Sequence, residues 1–338
     1  MEARTTDTQT TGVKSRVINL AQATLEAMDE EMARDESVFL MGEDIARQGG
    51  IFGQFKGLPD KYGLERVRDT PISESVLVGT ALGAALAGAR PVFDMHFSDF
   101  ALVAMDELAS QIAKIRYMSG GQLKVPLVIR MPDGAVRSAA AQHSQSLEAL
   151  YLHLPGLRVV APSNPADAKG LLKTAIRSDD PVLYLEHKAM YTVKGEVPEG
   201  EYLVPLGKAA LSREGCDVTV ISYSLTLQKS LKAADALAQE GVEVEVVDLR
   251  SLNPLDWETV TASVAKTGRA VVAHEAWRFL GLGAEVAATL HERLFDRLEA
   301  AVARVGAKHV PIPFSPPLEA FVIPQVDDIT AAIREVLG

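Results

Sequence analysis

The 338-residue sequence holds one cysteine, Cys216, so no disulfide can form within the chain, and a reducing compartment suits it. That thiol lies in "REGCDV", just ahead of an apolar run, where a turn or strand edge is expected rather than a nucleophile. No apolar run reaches the roughly 18 residues that a membrane span needs. Blocks of Lys and Arg are also missing, and with a formal net charge of −11 the chain repels nucleic acid and anionic membrane surfaces. The opening "MEARTTDTQTTGVK" has no apolar segment of the kind a secretory signal carries, and reads as a short disordered tail, residues 1–14, on a cytoplasmic protein. Neither a short fixed-period repeat nor a low-complexity tract follows it. No HExxH or similar metal-ligand spacing joins His153, His187, His274, His291 and His309.

What is present is an apolar fraction of 47%, enough for a sizeable core and two domains. Helical and strand periods alternate. The pattern predicts an amphipathic helix over 17–35, a strand in "SVFLMGED", a helix over 73–88, a strand in "RPVFDMHF" and a long helix over 99–118. Strands "VPLVIRM", "LRVVAPS" and "PVLYLEH" follow, with helices after His143 and over 165–177. Apolar strands separated by helices imply a parallel sheet covered on both faces. We expect a first domain over 15–195, a Gly/Pro-punctuated linker over 196–207 and a smaller α/β domain over 208–338.

One stretch is unusual. "RDTPISESVLVGTALGAALAG" sets a carboxylate, Glu74, at the mouth of a helix built from Gly, Ala and Thr. A Glu there ordinarily answers the positive end of the helix dipole and the free N–H groups. Small residues also let other backbones approach closely, so a helix of this kind is expected in an interface. A carboxyl group partly withdrawn from water there can share a proton with a heteroaromatic nitrogen.

Over nearly its whole length the sequence resembles the β subunit of the E1 component of 2-oxo acid dehydrogenase complexes. The resemblance rests on "MGED" (Met41–Asp44), "TPISE" (Thr70–Glu74), "RYMSGGQ" (Arg116–Gln122), "AAQHSQS" (Ala140–Ser146), "PGLRVVAPSNPADAKGLL" (Pro155–Leu172), "DDPVLYLEHKAMY" (Asp179–Tyr191) and "VVDLRSLNPLD" (Val246–Asp256), in that order. It implies an α/β fold, with an N-terminal thiamine-diphosphate pyrimidine-binding domain and a C-terminal transketolase-type α/β domain. It also implies roles. Glu74 would hydrogen-bond N1′ of the aminopyrimidine, promoting the tautomer that activates the thiazolium C2. Ile72 and Phe100 would pack around the pyrimidine, and His143 would serve the reaction intermediate and the incoming lipoyl group. His96 stands where relatives more usually carry Met or Gln, and reads either as a satisfied pocket wall or as a substrate contact.

The resemblance further places potassium against the backbone of Leu127, Ala175, Ile176, Ser178 and Asp180; a plain polar turn at a helix end explains the same residues. A diphosphate and Mg²⁺ anchor of the Gly-Asp-Gly type is absent. A separate E1 α subunit would supply it, giving an α₂β₂ heterotetramer that shares thiamine diphosphate and docks on an E2 dihydrolipoyl acyltransferase. "LEHKAMY" and "HVPIPFSPPLEAFVIP" look most like acetoin and pyruvate members, less like branched-chain ones. The rival classes are a single-chain transketolase, which needs a longer chain and the missing anchor, and a non-catalytic scaffold subunit, which need not keep Glu74 and His143 together.

Overall fold

The computed structural model describes residues 14–338, so all but the last residue of the expected tail lies outside the described residues. Eight strands come first: β1 (Ser15–Asn19), β2 (Val38–Gly42), β3 (Val67–Asp69), β4 (Arg90–Asp94), β5 (Val128–Asp133), β6 (Arg158–Val160), β7 (Val182–His187) and β8 (Lys194–Pro198). Six follow: β9 (Ala210–Arg213), β10 (Val218–Ser222), β11 (Val244–Asp248), β12 (Ser251–Asn253), β13 (Ala270–Trp277) and β14 (Ala303–Ala307).

The larger sheet runs β12-β6-β7-β5-β4-β2-β3 and is parallel except for β12, which joins β6 antiparallel. Every residue of β5 and β7 is buried, as expected of strands with helices on both faces. A second sheet, β14-β13-β10-β11-β9, is parallel except at β9. One apolar cluster contains Phe93, Leu127 and Val159 together with Ile221, Val247 and Val272, so the two sheets share a core.

Two helix expectations are corrected. The helix expected from residue 17 starts at Leu20, because Asn19 and Gln22 form a reciprocal capping box and the preceding residues pair as β1 with β8. β8 also takes in the first residues of the expected linker. The long helix over 99–118 is broken into a 3₁₀ turn (Ser98–Leu102), a π-turn (Glu107–Ile112) and an α-turn (Ile115–Met118). The widened middle turn buries both Leu108 and Ile112. The helix Glu74–Leu86 leaves one side uncovered within this chain. Leu77, Val78, Ala81 and Ala85 face the core, while Ile72 and Val76 are 76% and 65% exposed.

Candidate active site

Parallel α/β sheets bind ligands beyond the carboxyl ends of their strands. The segments singled out by sequence leave the large sheet at that edge. Glu43 follows β2, "TPISE" follows β3, His96 and Phe100 follow β4, the His143 loop follows β5 and Lys188 follows β7. β2 and β4 run close together there: a Cβ on Gly42 would lie 2.9 Å from the Asp94 carbonyl oxygen, which glycine avoids.

Glu74 is the first residue of its helix and is half-buried, its mouth opening on the exposed Ile72. The neighbouring Glu43 has its carboxyl pushed up, first by burial and then by the charge of Glu74. Glu43 so placed favours holding its proton. Phe100 is half-buried, and its ring meets that of His143 edge to face, centroids 5.2 Å apart. Phe97 approaches His143 likewise at 6.0 Å. The loop that carries His143 has positive φ at Arg137, Ser138 and Ala140, a concentration of unfavourable backbone typical of functional loops.

His96 is 8% exposed, with Nε2 2.5 Å from Asp94 Oδ2. Burial opposes its charge, but the Asp94 carboxylate outweighs it and the net effect raises the imidazole above its ordinary range. Asp94 in turn meets the fully buried Arg130 at 3.2 Å, and Arg130 also pairs with Glu186. The Asp94/His96 spacing was readable, since alternate residues of an extended segment share a face.

A second polar layer lies behind His143 and was not foreseen. Asp133 accepts from Ser98 Oγ at 2.7 Å, and burial, then Glu148, pushes its carboxyl up to about 7. His187 Nε2 lies 2.9 Å from Glu275 Oε1; burial would raise Glu275, but His187 draws it down to about 2. These contacts join residues far apart in sequence, so no local pattern announced them.

The residues expected to hold potassium also make contacts within the chain. Arg90 Nη1 donates to the carbonyl oxygens of Ile176 and Ser178 at 3.0 Å each, Val182 N donates to Leu127 O at 2.9 Å, and Ser178 N donates to Ala175 O at 3.1 Å. The Asp180 carboxylate is held between Arg116 and Arg158. Among the described residues, no group of three or more His, Cys, Asp and Glu is arranged to hold a metal, and no helix is long and apolar enough to cross a membrane. Cys216 is exposed in the bend before β10.

Two domain families match the chain. "Transketolase, pyrimidine binding domain" covers residues 16–194 and "Transketolase, C-terminal domain" covers 207–329. The chain is 46% identical to the acetoin:2,6-dichlorophenolindophenol oxidoreductase subunit beta of Cupriavidus necator, over 96% of this chain and 98% of that one. It is 44% identical to a mitochondrial pyruvate dehydrogenase E1 component subunit beta-2 of rice, Oryza sativa subsp. japonica (95% and 86%). The 2-oxoisovalerate dehydrogenase subunit beta of Bacillus subtilis is also 44% identical (92% and 95%). A solved structure titled as a split gene transketolase, inactive beta4 tetramer, superposes with a TM-score of 0.77 at 26% identity, covering 95% of this chain and 98% of that one.

Proposed function

This chain belongs to the transketolase-type E1 β subunits of 2-oxo acid and acetoin dehydrogenases, and from that premise we propose that it forms half of a thiamine-diphosphate site that cleaves pyruvate or acetoin and passes the acyl group to a lipoyl arm. The observation that carries this reading is the convergence of Glu74, His96, Phe100 and His143 on one sheet edge, with apolar Ile72 and Val76 exposed beside them. The donor set fits the pyrimidine half of the cofactor: a half-buried carboxylate, an aromatic face and an apolar flank. It does not fit the diphosphate half, so an E1 α subunit would hold that end together with Mg²⁺ in an α₂β₂ assembly, and an E2 core would receive the product.

When bound, the cofactor would supply carbon-nucleophile chemistry toward a carbonyl substrate. Glu74 holds or releases a proton at the pyrimidine, aided by the raised affinity of Glu43 for one. Phe100 and Ile72 fix the plane of that ring and exclude water. His143, its ring set against Phe100 and Phe97, donates or accepts a proton where the acyl group leaves for the lipoyl arm. His96, beside the Asp94 carboxylate, forms part of the pocket wall.

Identities of 46%, 44% and 44% to relatives named for three substrates do not rank those substrates. Assay of the reconstituted α plus β enzyme with acetoin, pyruvate and 2-oxoisovalerate decides among them. Titration of thiamine diphosphate into the β chain alone, then into α plus β, tests the shared site: tight binding to β alone would overturn it. A potassium ion would share the Ile176 and Ser178 carbonyls with Arg90. Equal melting of the complex in potassium and choline chloride would remove it. We take the domain division as 15–195 and 208–338 with 196–207 between, and place the protein in the cytoplasm, where a chain with one exposed thiol stays reduced.

A further inference from the structure

We infer that Lys188 is a positioning residue, whose buried ammonium holds both the His143 loop and the Phe97 ring that faces His143. The lysine opens the short turn after β7 and is 3% exposed. Most lysines bury the stem and leave the head in water. Here the head is buried too, and among the described residues Nζ has no hydrogen-bond partner. It has two neighbours of another kind. Asp99 Oδ2 lies 3.9 Å away, and the face of the Phe97 ring lies 4.7 Å from Nζ to centroid.

Each neighbour leads to His143. The other oxygen of Asp99 accepts from Gln145 N at 3.2 Å and from Gln145 Nε2 at 2.9 Å. The Gln145 carbonyl is in turn fixed by Gly134 N at 3.2 Å, which ties the two ends of the loop together. Gln145 therefore sets the path of the chain as it leaves His143. Phe97 is the second route: Lys188 binds its face, and the ring meets His143 edge to face with an interplanar angle of 73°.

A methionine would fill much the same volume without the desolvation that a buried charge incurs. Volume alone thus does not account for the ammonium. Its charge faces one oxygen of Asp99, while the other oxygen accepts both Gln145 hydrogen bonds. Burial presses the ammonium toward its neutral form, with Asp133 and Asp99 opposing. Losing the charge would slacken both routes at once.

This inference rests on the proposed role of His143 in acyl transfer, so the test is a double-mutant cycle on the reconstituted α plus β complex. Two rates are measured: transfer to a lipoyl domain, and the reaction with an artificial electron acceptor. Lys188→Met is expected to lower kcat for transfer about tenfold, less than the roughly hundredfold or more that losing the acid–base group itself costs, with KM for the 2-oxo substrate and the artificial-acceptor rate within about twofold. In a His143→Ala background, Lys188→Met should cost less than about twofold more. Should Lys188→Met fail to assemble, Asp99→Asn carries the same cycle, since it removes the charge pair and keeps an acceptor oxygen. If His143→Ala slows transfer and the second substitution multiplies that loss in full, or if Lys188→Met leaves transfer unchanged, Lys188 does not act through His143 and the inference fails. If His143→Ala leaves transfer unchanged, the role of His143 falls first and this inference with it.

Discussion

Phe100 and His143 meet ring edge to ring face across two separate loops, one leaving β4 and the other leaving β5. The contact brings an aromatic plane suited to a pyrimidine and an imidazole suited to proton transfer to the same few ångströms, beside the helix that starts at Glu74.

Glu74→Gln should abolish turnover while leaving assembly with the α subunit intact. The amide keeps the shape and one hydrogen bond but cannot exchange the proton. A loss above about a hundredfold is expected for a general acid–base group. Steady-state rates on a complex shown intact by light scattering check it, and near-normal turnover would remove Glu74 from the mechanism.

Gly83→Leu should block α₂β₂ formation without harming the chain itself. A Cβ at Gly83 would meet nothing within 4 Å among the described residues, and replacing a helical glycine adds roughly 1 kcal/mol of helix propensity. The isolated variant is therefore expected to melt at or above the parent temperature yet fail to assemble. Normal assembly by light scattering would show that the outer face of this helix meets no partner.

His143→Ala is expected to separate two activities of the reconstituted enzyme. Reaction with an artificial electron acceptor should survive in large part, while transfer to a lipoyl domain falls about a hundredfold and its pH profile flattens on the acid side. Equal losses in both assays would move His143 to the first chemical step.

Asp248 predicts a pH dependence of stability. It ends β11, accepts from Ser163 Oγ at 2.9 Å, and is pushed up to about 8 by burial and then by Asp167. In the unfolded chain it ionises near pH 4. The fold thus favours its protonated form, and the stability this gives is full below about pH 4 and lost as the pH climbs through about 8. Asp248→Asn should reduce the fall in unfolding free energy between about pH 5 and 8, by at most about 1.4 kcal/mol per pH unit. Parallel denaturation curves for parent and variant across that range would count against it.

The sequence disclosed those parts of the site that sit in contiguous motifs. Glu74 and Ile72 share one short run, Phe100 shares another with His96, and His143 stands in its own, so each could be assigned before their meeting was known. Lys188, Asp99 and Gln145 stayed hidden because each contact spans separate elements and the residue types alone suit any surface. The same limit governs the fold. β5 and β7 begin on apolar residues inside runs long enough to read as strands, and were legible. β1 was absorbed into a helix because Val17 falls at helical spacing, and its true partner, β8, lies at the far end of the first unit. β9 and β12 are too short to show a period.

β12 lies beyond the stretch expected to separate the domains, yet it completes the sheet on the near side by pairing with β6. A fragment ending at residue 207 would leave β6 as a bare strand edge, an invitation to intermolecular pairing and aggregation. The pyrimidine-side half expressed on its own is therefore expected to aggregate more readily than the full chain.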